Sequence, residues 1–289
     1  MGHRAFYHRF STERKCFQAL RRTLYGGRPV RCTCGGTRPW RGERPNPPQA
    51  DRIYTCRFCR RKWSDLKGTI FERSRTPLSK WFMALYEIAH GPGISARHLQ
   101  VRISVSYKTA WRMLHQIRRA LREEQLSLVL TGVVEADETY LGGRRKGPRG
   151  RGARGKTPVV GLAQRAGPLV ALTLPDVSRK SLHASIRSHV RPGARLVTDE
   201  WPGYSRLRAH GYRHHRVLHE ETYVKGQKHT NTVEGFWSLL KRRIRAIHTK
   251  VSQKYLDYYL AEASFRYNLR LQPDRLKATF QACLVPLRG

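Results

Sequence analysis

A series of short apolar runs followed by two helical segments occupies the second half of the chain, and this series restricts the fold more than any other feature. The first run, LSLVLTGVVEADETYLGG at residues 126–143, is rich in β-branched residues around Val133 and Val134 and is typical of a strand. Further strands are predicted for PVVGLAQR, PLVALTLP, ARLVTDEWPGY and RVL. Helices are predicted for residues 229–248 and 252–270. The fold class predicted for this part of the chain is α/β, with strands and helices in one domain.

The acidic residues of this domain lie at informative positions. Strand alternation puts Glu135 and Asp137 on one face, Asp199 follows a later strand, and Glu234 lies on the helix of residues 229–248. Carboxylates that converge can bind Mg²⁺, and a pair of such ions supports phosphoryl transfer. Taken singly, Asp199 as a turn cap and Glu234 in a salt bridge are alternatives, but the three together favour a metal site.

Two further acids stand beside the candidate ligands. Glu138 follows Asp137 and Glu200 follows Asp199. They could be confused with the true ligands, but because successive strand residues point to opposite faces, we expect both of these side chains to point to the other face of their strands.

The charge balance indicates the partner. The chain of 289 residues has 57 Lys and Arg against 20 Asp and Glu, which gives 57 − 20 = +37, and its pI is about 11.1. Such a chain is suited to binding nucleic acid, whose phosphates neutralise the positive charges. No run of about 18 apolar residues is present, which excludes a transmembrane helix and a membrane partner. The opening MGHRAFYHRFSTERK lacks the apolar core of a signal peptide, so we expect a cytoplasmic, nucleoid-associated protein.

Four of the six cysteines form two pairs, Cys32-Thr-Cys34 and Cys56-Arg-Phe-Cys59. Paired cysteines in an intracellular protein favour a tetrahedral, structural Zn²⁺ site over disulfides. The first pair departs from the usual C-x-x-C spacing. A strained turn that still binds zinc, a degenerate site, and four reduced cysteines without metal therefore remain as alternatives.

Residues 78–122 predict a helix-turn-helix. An apolar stripe runs from Leu78 to Ile88, Gly91-Pro92-Gly93 interrupts it, and a last helix begins near Ser104 or Ser106. That helix has the core stripe Ala110, Met113, Leu114, Ile117 and Leu121. Its opposite face is predicted to contact DNA through Tyr107, Lys108 and Arg112. The alternative is a helical connector with a solvated basic face.

The segments EADETYLGG, VTDEWPGY and HTNTVEGFWSLLKR, followed by VSQKYLDYYLAEASFRYNLR, resemble the DDE transposases of bacterial insertion sequences. The resemblance is closer to the ISXO-like subgroup with an N-terminal zinc ribbon, and it extends from about Val30 to Arg270. Its signature is specific, because 34 residues separate Asp199 from Glu234 and Lys241 lies seven residues beyond Glu234. Seven residues are two helical turns, so Lys241 shares the face of Glu234.

The resemblance implies an RNase H-like catalytic domain with a mixed five-stranded sheet and flanking helices. It implies Asp137 and Asp199 as ligands of Mg²⁺ or Mn²⁺, Glu234 as the third acid, and Lys241 as a DNA contact near the reacting phosphate. Asn231, one turn before Glu234, is a candidate auxiliary residue. The predicted organisation is an N-terminal segment (1–27), a zinc ribbon (28–75), a helix-turn-helix region (76–125), the catalytic domain (126–270) and a C-terminal tail (271–289).

A basic loop spans residues 142–158 and contains seven Lys or Arg and six Gly. We interpret it as a hairpin loop that becomes ordered on phosphate, with a surface loop without a role as the alternative. A phosphate-binding P-loop is excluded because GARGKT runs into a strand and not into a helix. The predicted DNA contacts of this loop and of the later helix are Arg144, Arg145, Lys146, Lys241 and Arg242.

These features predict a transposase that cuts double-stranded DNA at the terminal inverted repeats of its element and joins the 3′ ends to target DNA by two-metal phosphoryl transfer. A homodimer or higher assembly would pair the two ends. One alternative is a zinc-ribbon and helix-turn-helix regulator with an inactive catalytic domain. Another is a structure-selective nuclease of the same fold.

Overall fold

The computed structural model describes residues 2–26, 32–36, 40–43, 52–142, 155–217, 230–248 and 251–284. Contacts within the chain divide it into two compact units. The first consists of Met1–Ala120 and Asp274–Gly289, and the second of Leu121–Pro273. Among the described residues, no helix has the length and apolar character needed to cross a membrane.

The first unit combines a small sheet with helices. Its helices are α1 (His3–Arg9), α2 (Glu13–Tyr25), α3 (Leu78–His90), α4 (Ala96–Ile103), the larger part of α5 (Tyr107–Leu126) and α9 (Arg275–Leu284). The strands β1 (Trp40–Glu43), β2 (Arg52–Thr55) and β3 (Lys62–Ser64) form an antiparallel sheet in the order β1-β2-β3. Hydroxyl groups cap three of the helices, since Thr12 accepts from the Lys15 amide, Ser95 from the His98 amide and Ser106 from the Thr109 amide.

Helices α4 and α5 form the expected helix-turn-helix pair. Ser104, in the left-handed region at φ 49°, ends α4 before α5 begins at Tyr107. The predicted core stripe of α5 is fully buried and consists of Ala110, Met113, Leu114, Ile117 and Leu121. The periodicity of the sequence therefore identified the inner face of this helix correctly.

The second unit is built on a five-stranded mixed sheet. Its elements are β4 (Val133–Leu141), β5 (Thr157–Gln164), β6 (Leu169–Thr173), α6 (Arg179–His189), β7 (Arg195–Thr198), β8 (Arg213–Arg216), α7 (Asn231–Arg243) and α8 (Leu256–Asn268). The strand order is β6-β5-β4-β7-β8. Strands β4, β5 and β6 pair antiparallel, whereas β7 and β8 pair parallel. This topology confirms the predicted RNase H-like α/β domain.

Each face of this sheet is covered by helices. One core lies on the side of α6 and includes Val134, Ala136, Leu162, Leu182 and Ile186. The other lies on the side of α7 and α8 and includes Val159, Ala171, Val233, Phe236 and Leu260. Burial on both faces explains why the strands read as nearly continuous apolar runs.

The pairing of β4 with β7 ends in the middle of β4. The last pair is Ala136 with Thr198, whereas pairing with β5 continues as far as Leu141 with Thr157. The next residue on each side is an aspartate, Asp137 on β4 and Asp199 after β7. Both therefore lie at a notch in the sheet where the two parallel strands diverge.

The antiparallel pairing of β4 and β5 confirms that residues 142–156 connect the two strands of a hairpin. Residues 143–154 of this connection lie outside the described part of the chain. The predicted DNA contacts Arg144, Arg145 and Lys146 fall in this segment and stay predictions.

Candidate active site

Three carboxylates meet at the notch between β4 and β7. One oxygen of each of Asp137, Glu138 and Asp199 lies within 4.8 Å of the others. All three side chains are partly buried. Hard oxygen donors at this spacing fit a divalent cation such as Mg²⁺ or Mn²⁺.

Glu138 reaches this group from the face of the sheet opposite to Asp137. The buried hydroxyl of Tyr204 donates a hydrogen bond of 2.9 Å to Glu138 Oε2, and Tyr204 belongs to the core on the side of α6. Asp137 instead faces α7. Strand alternation therefore holds, but it did not predict that the Glu138 carboxylate lies beside Asp137 and Asp199. The longer glutamate side chain extends past the end of the β4–β7 pairing.

The electrostatics of the group favour a cation. Burial raises the pKa of Asp137 to about 7, and the negative charges of Glu138 and Asp199 act in the same direction. The indole N–H of Trp237 lowers this pKa by donating to the carboxylate. A divalent cation would neutralise the mutual repulsion of these carboxylates.

Asp199 is oriented by its own turn. The backbone N–H of Trp201 donates to Asp199 Oδ1 at 3.0 Å. Glu200 is exposed and does not belong to the acidic group. The sequence VTDEWPGY thus places one of its two consecutive acids at the notch.

Glu234 lies in the first turn of α7 and outside the group of three. Its side chain is exposed, and Oε1 accepts a hydrogen bond of 2.5 Å from the hydroxyl of Thr230. Asn231, the first residue of α7, is also exposed. The structure therefore brings Asp137 and Asp199 together, whereas the role of Glu234 as the third acid stays a prediction.

Lys241 and Arg242 lie in the last turn of α7. Burial lowers the pKa of Lys241, and the negative charge of Asp137 acts in the opposite direction. The ammonium group is therefore within electrostatic reach of the acidic group. Arg242 is exposed.

Glu135 has a role that the sequence did not indicate. Its carboxylate is fully buried and accepts hydrogen bonds from the backbone N–H groups of Thr232 (2.8 Å) and Val233 (3.2 Å). It also accepts from the Thr232 hydroxyl at 2.9 Å and from Arg165 Nε at 2.8 Å. The side chain of Thr230, the residue before the first turn of α7, does not cap the helix. Glu135 thus binds the N-terminus of α7 to the strand that carries Asp137.

The four paired cysteines form a second candidate metal site. Their sulfur atoms lie within 4.8 Å of one another, with Cys32 and Cys59 at 3.5 Å and Cys34 and Cys56 at 3.5 Å. A tetrahedral zinc site with Zn–S bonds of about 2.3 Å requires sulfur separations of about 3.8 Å, so the group fits zinc with little adjustment.

The C-x-C pair reaches this arrangement through a tight turn. The Gly35 amide donates to the Cys32 carbonyl at 2.9 Å, and Gly35 takes the left-handed conformation at φ 86°. In the other pair, the backbone N–H of Cys59 lowers the pKa of Cys56 to about 6. Stabilised thiolates are the form that binds zinc.

The predicted recognition residues lie on the first turns of α5. Tyr107 is 52% exposed and Lys108 is exposed as well. Arg112 is partly buried, with Nη2 at 3.5 Å from the hydroxyl of Ser74. Their contact with DNA stays a prediction.

Comparison with known proteins identifies relatives of most of the chain and a family model that matches its second unit. Residues 129–268 match the family model described as the ISXO2-like transposase domain. The chain is 31% identical over 251 residues to an uncharacterized protein in transposable element ISH50 of Halobacterium salinarum, which covers 80% of this chain and 84% of that protein. It is 25% identical over 117 residues to an uncharacterized transposase-like protein of Haemophilus influenzae, covering 39% of this chain and 94% of that protein.

Among solved structures, the chain is similar to a Mos1 transposase paired-end complex with the left transposon end. The identity is 11% and the TM-score 0.29, over 72% of this chain and 80% of that one.

Proposed function

This chain belongs to the ISXO2-like transposase family, and we propose that it cleaves double-stranded DNA at the terminal inverted repeats of its element and joins the ends to target DNA. The observation that carries the proposal is the convergence of Asp137, Glu138 and Asp199 at the notch of the sheet. An acidic group is unfavourable beside phosphate unless cations balance it. A DNA-processing metal site accounts both for this acidic group and for the strongly basic composition of the chain.

Asp137 and Asp199 would hold the divalent cations, Mg²⁺ or Mn²⁺. When bound, these cations activate the attacking oxygen and stabilise the leaving oxygen in an in-line displacement at phosphorus. The side chains themselves would fix the cations from the middle of the central strand β4 and from the turn that follows β7. Such prior positioning contributes to catalysis because little reorganisation is then needed during the reaction.

The third acid has two candidates. Glu234 fits the sequence signature, and we retain it as the third acid that completes the site on DNA. Glu138 fits the geometry of the acidic group, where the Tyr204 hydroxyl orients it. Lys241 would bind a phosphate oxygen near the reacting centre, with Asn231 assisting at the start of α7.

DNA binding would involve both units. Tyr107, Lys108 and Arg112 on α5 would read the terminal repeats, and Arg242 and the basic hairpin loop would contact phosphates. Zinc held by Cys32, Cys34, Cys56 and Cys59 would stabilise the ribbon. Two copies or more would assemble on DNA to pair the element ends.

The test uses purified protein and labelled DNA that carries the element end, with Mg²⁺ or with EDTA. We expect cleavage and joining with Mg²⁺ only. Asp137→Asn and Asp199→Asn should reduce both steps by more than about 100-fold, which exceeds the usual effect of residues that only support a metal ligand. The matched control is Glu200→Gln, which removes the charge next to Asp199 and should retain activity.

The same assay separates the two candidates for the third acid. If Glu234 completes the site, Glu234→Gln abolishes strand transfer while Glu138→Gln weakens it less. Retained strand transfer in Asp199→Asn would overturn the assignment. Specific DNA binding without cleavage would indicate the regulator, and cleavage without joining would indicate the nuclease.

A further inference from the structure

The indole of Trp237 makes a direct contact with Asp137. Its Nε1–H donates to Asp137 Oδ2 at 2.9 Å, and the side chain is 5% exposed. An indole has a single N–H donor and no acceptor, so this contact uses the whole hydrogen-bonding capacity of the ring. The ring itself packs in the core between the sheet and α7, beside Phe236.

The sheet leaves room for this ring at one position. Gly161 on β5 lies directly opposite Asp137 in the strand pairing. A Cβ atom at Gly161 would lie 2.6 Å from Cζ2 of Trp237 and 2.7 Å from Cγ2 of Val233. Both neighbours are rigid groups, so any other residue at this position would push α7 away from the sheet. Glycine is required here for space.

The helix is held in this position at its start as well. Glu135 binds the backbone N–H groups of Thr232 and Val233, one turn before Trp237. Two side chains of the same helix, Val233 and Trp237, therefore lie over Gly161. The indole can only meet Asp137 because the helix approaches the sheet this closely.

We propose that Trp237 is a positioning residue for Asp137, and that Gly161 provides the space it needs. The hydrogen bond fixes the rotamer of the Asp137 carboxylate and occupies one of its acceptor directions, while the other directions remain for a cation. Groups that orient a metal ligand in this way commonly control metal affinity. The inference rests on the proposed function, because it requires a divalent cation at Asp137.

The test measures Mn²⁺ binding to the full-length protein by calorimetry, with no DNA and no catalytic turnover. Trp237→Phe keeps an aromatic ring in the core and removes the N–H, and the control variant makes the same reduction in ring size elsewhere. We expect its Mn²⁺ affinity to fall about 10- to 100-fold. The matched control is Trp81→Phe, which removes an indole N–H that donates to the Ser74 hydroxyl at 3.0 Å in the first unit and should leave the affinity unchanged.

A second measurement uses the wild-type protein alone. In a ¹H–¹⁵N spectrum, addition of Mg²⁺ should shift the indole N–H resonance of Trp237 more than that of Trp81, because only the former donates to a metal ligand. Such a shift would show that the Trp237 N–H senses the cation through Asp137, and the affinity of Trp237→Phe then measures how much this contact contributes to binding.

The outcomes separate the inference from the proposed function. Wild-type affinity in Trp237→Phe, or an indole resonance that does not respond to Mg²⁺, overturns the inference while cation binding stands. If the wild-type protein does not bind Mn²⁺, or if Asp199→Asn binds it equally well, the proposed metal site fails, and the inference fails with it.

Discussion

A buried charge is tolerated at Glu135 because several donors surround it. The carboxylate faces the backbone N–H groups at the start of α7, where the helix dipole favours a negative charge, and it pairs with Arg165. If the carboxylate loses its charge, the partly buried Arg165 and the backbone N–H groups lose the negative charge that compensates for their burial. One side chain therefore stabilises the domain and places α7 beside the acidic group.

We expect Glu135→Gln to lower the free energy of unfolding by about 3–5 kcal/mol, because Arg165 and the helix N-terminus lose a buried charge partner. Urea unfolding measures this change. The control is Glu87→Gln, whose partner Arg102 is exposed at 42% and should contribute about 1 kcal/mol or less. Equal effects of the two substitutions would contradict the anchoring role of Glu135.

Asp137 links stability to pH. Its folded-state pKa of about 7 lies above its ordinary value of 3.8, so between these values the folded protein keeps a proton that the unfolded chain has released. Without added Mg²⁺, stability from this group is present at low pH and is lost as the pH rises towards 7.

We therefore expect Asp137→Asn to be more stable than wild type at pH 8 without Mg²⁺, by up to about 4 kcal/mol, and to lose this advantage near pH 4. Thermal unfolding at both pH values measures the difference. With Mg²⁺, the difference in stability between the two proteins at pH 8 should become smaller or change sign, because only the wild type retains all three acids of the group. An Asp137→Asn variant with the same advantage at both pH values would exclude the proposed linkage.

At the scale of elements, the small sheet of the first unit depends on additional contacts. Its strands have four, four and three residues, which is short for independent stability. Tyr54 stacks on Trp63 at 5.5 Å and donates to the buried Asp65 at 3.0 Å. The four cysteines bring the segment before β1 close to the turn between β2 and β3. A metal ion bound by them would supply the remaining stabilisation.

We expect Cys56→Ser to abolish zinc binding and to lower the thermal stability of the protein. Metal analysis of freshly purified protein should give about one zinc per chain for wild type and none for the variant. The control is Cys16→Ser, which changes a buried cysteine outside the group of four and should retain zinc. Wild-type protein without zinc would refute the metal assignment and leave the four cysteines as reduced thiols.

At the scale of the molecule, charge and chain path have separate effects. On the proposed function, the net charge of +37 would supply non-specific attraction to DNA phosphates, whereas the acidic group would repel them unless cations were bound. The first unit is completed only by the end of the chain, since Phe280 on α9 packs against Phe82 at a ring distance of 4.4 Å. This long-range contact joins two segments of the first unit that are about 200 residues apart in the sequence.

Local patterns determined much of this protein in advance. Strands β4 to β7, the inner face of α5, the cysteine pairs and the order of Asp137 and Asp199 all follow from periods and spacings within a few residues. The sequence pattern predicts the last strand at residues 216–218, whereas β8 lies slightly earlier, at Arg213–Arg216. Such features are readable because backbone geometry alone sets which neighbours share a face.

The tertiary structure decided the rest. The position of Glu138 beside Asp199 depends on where the β4–β7 pairing stops, and the contact of Trp237 with Asp137 depends on the space at Gly161. The anchoring role of Glu135 depends on a helix about 100 residues later in the chain. These arrangements join residues far apart in sequence, and no local period encodes the distance at which a helix packs on a sheet.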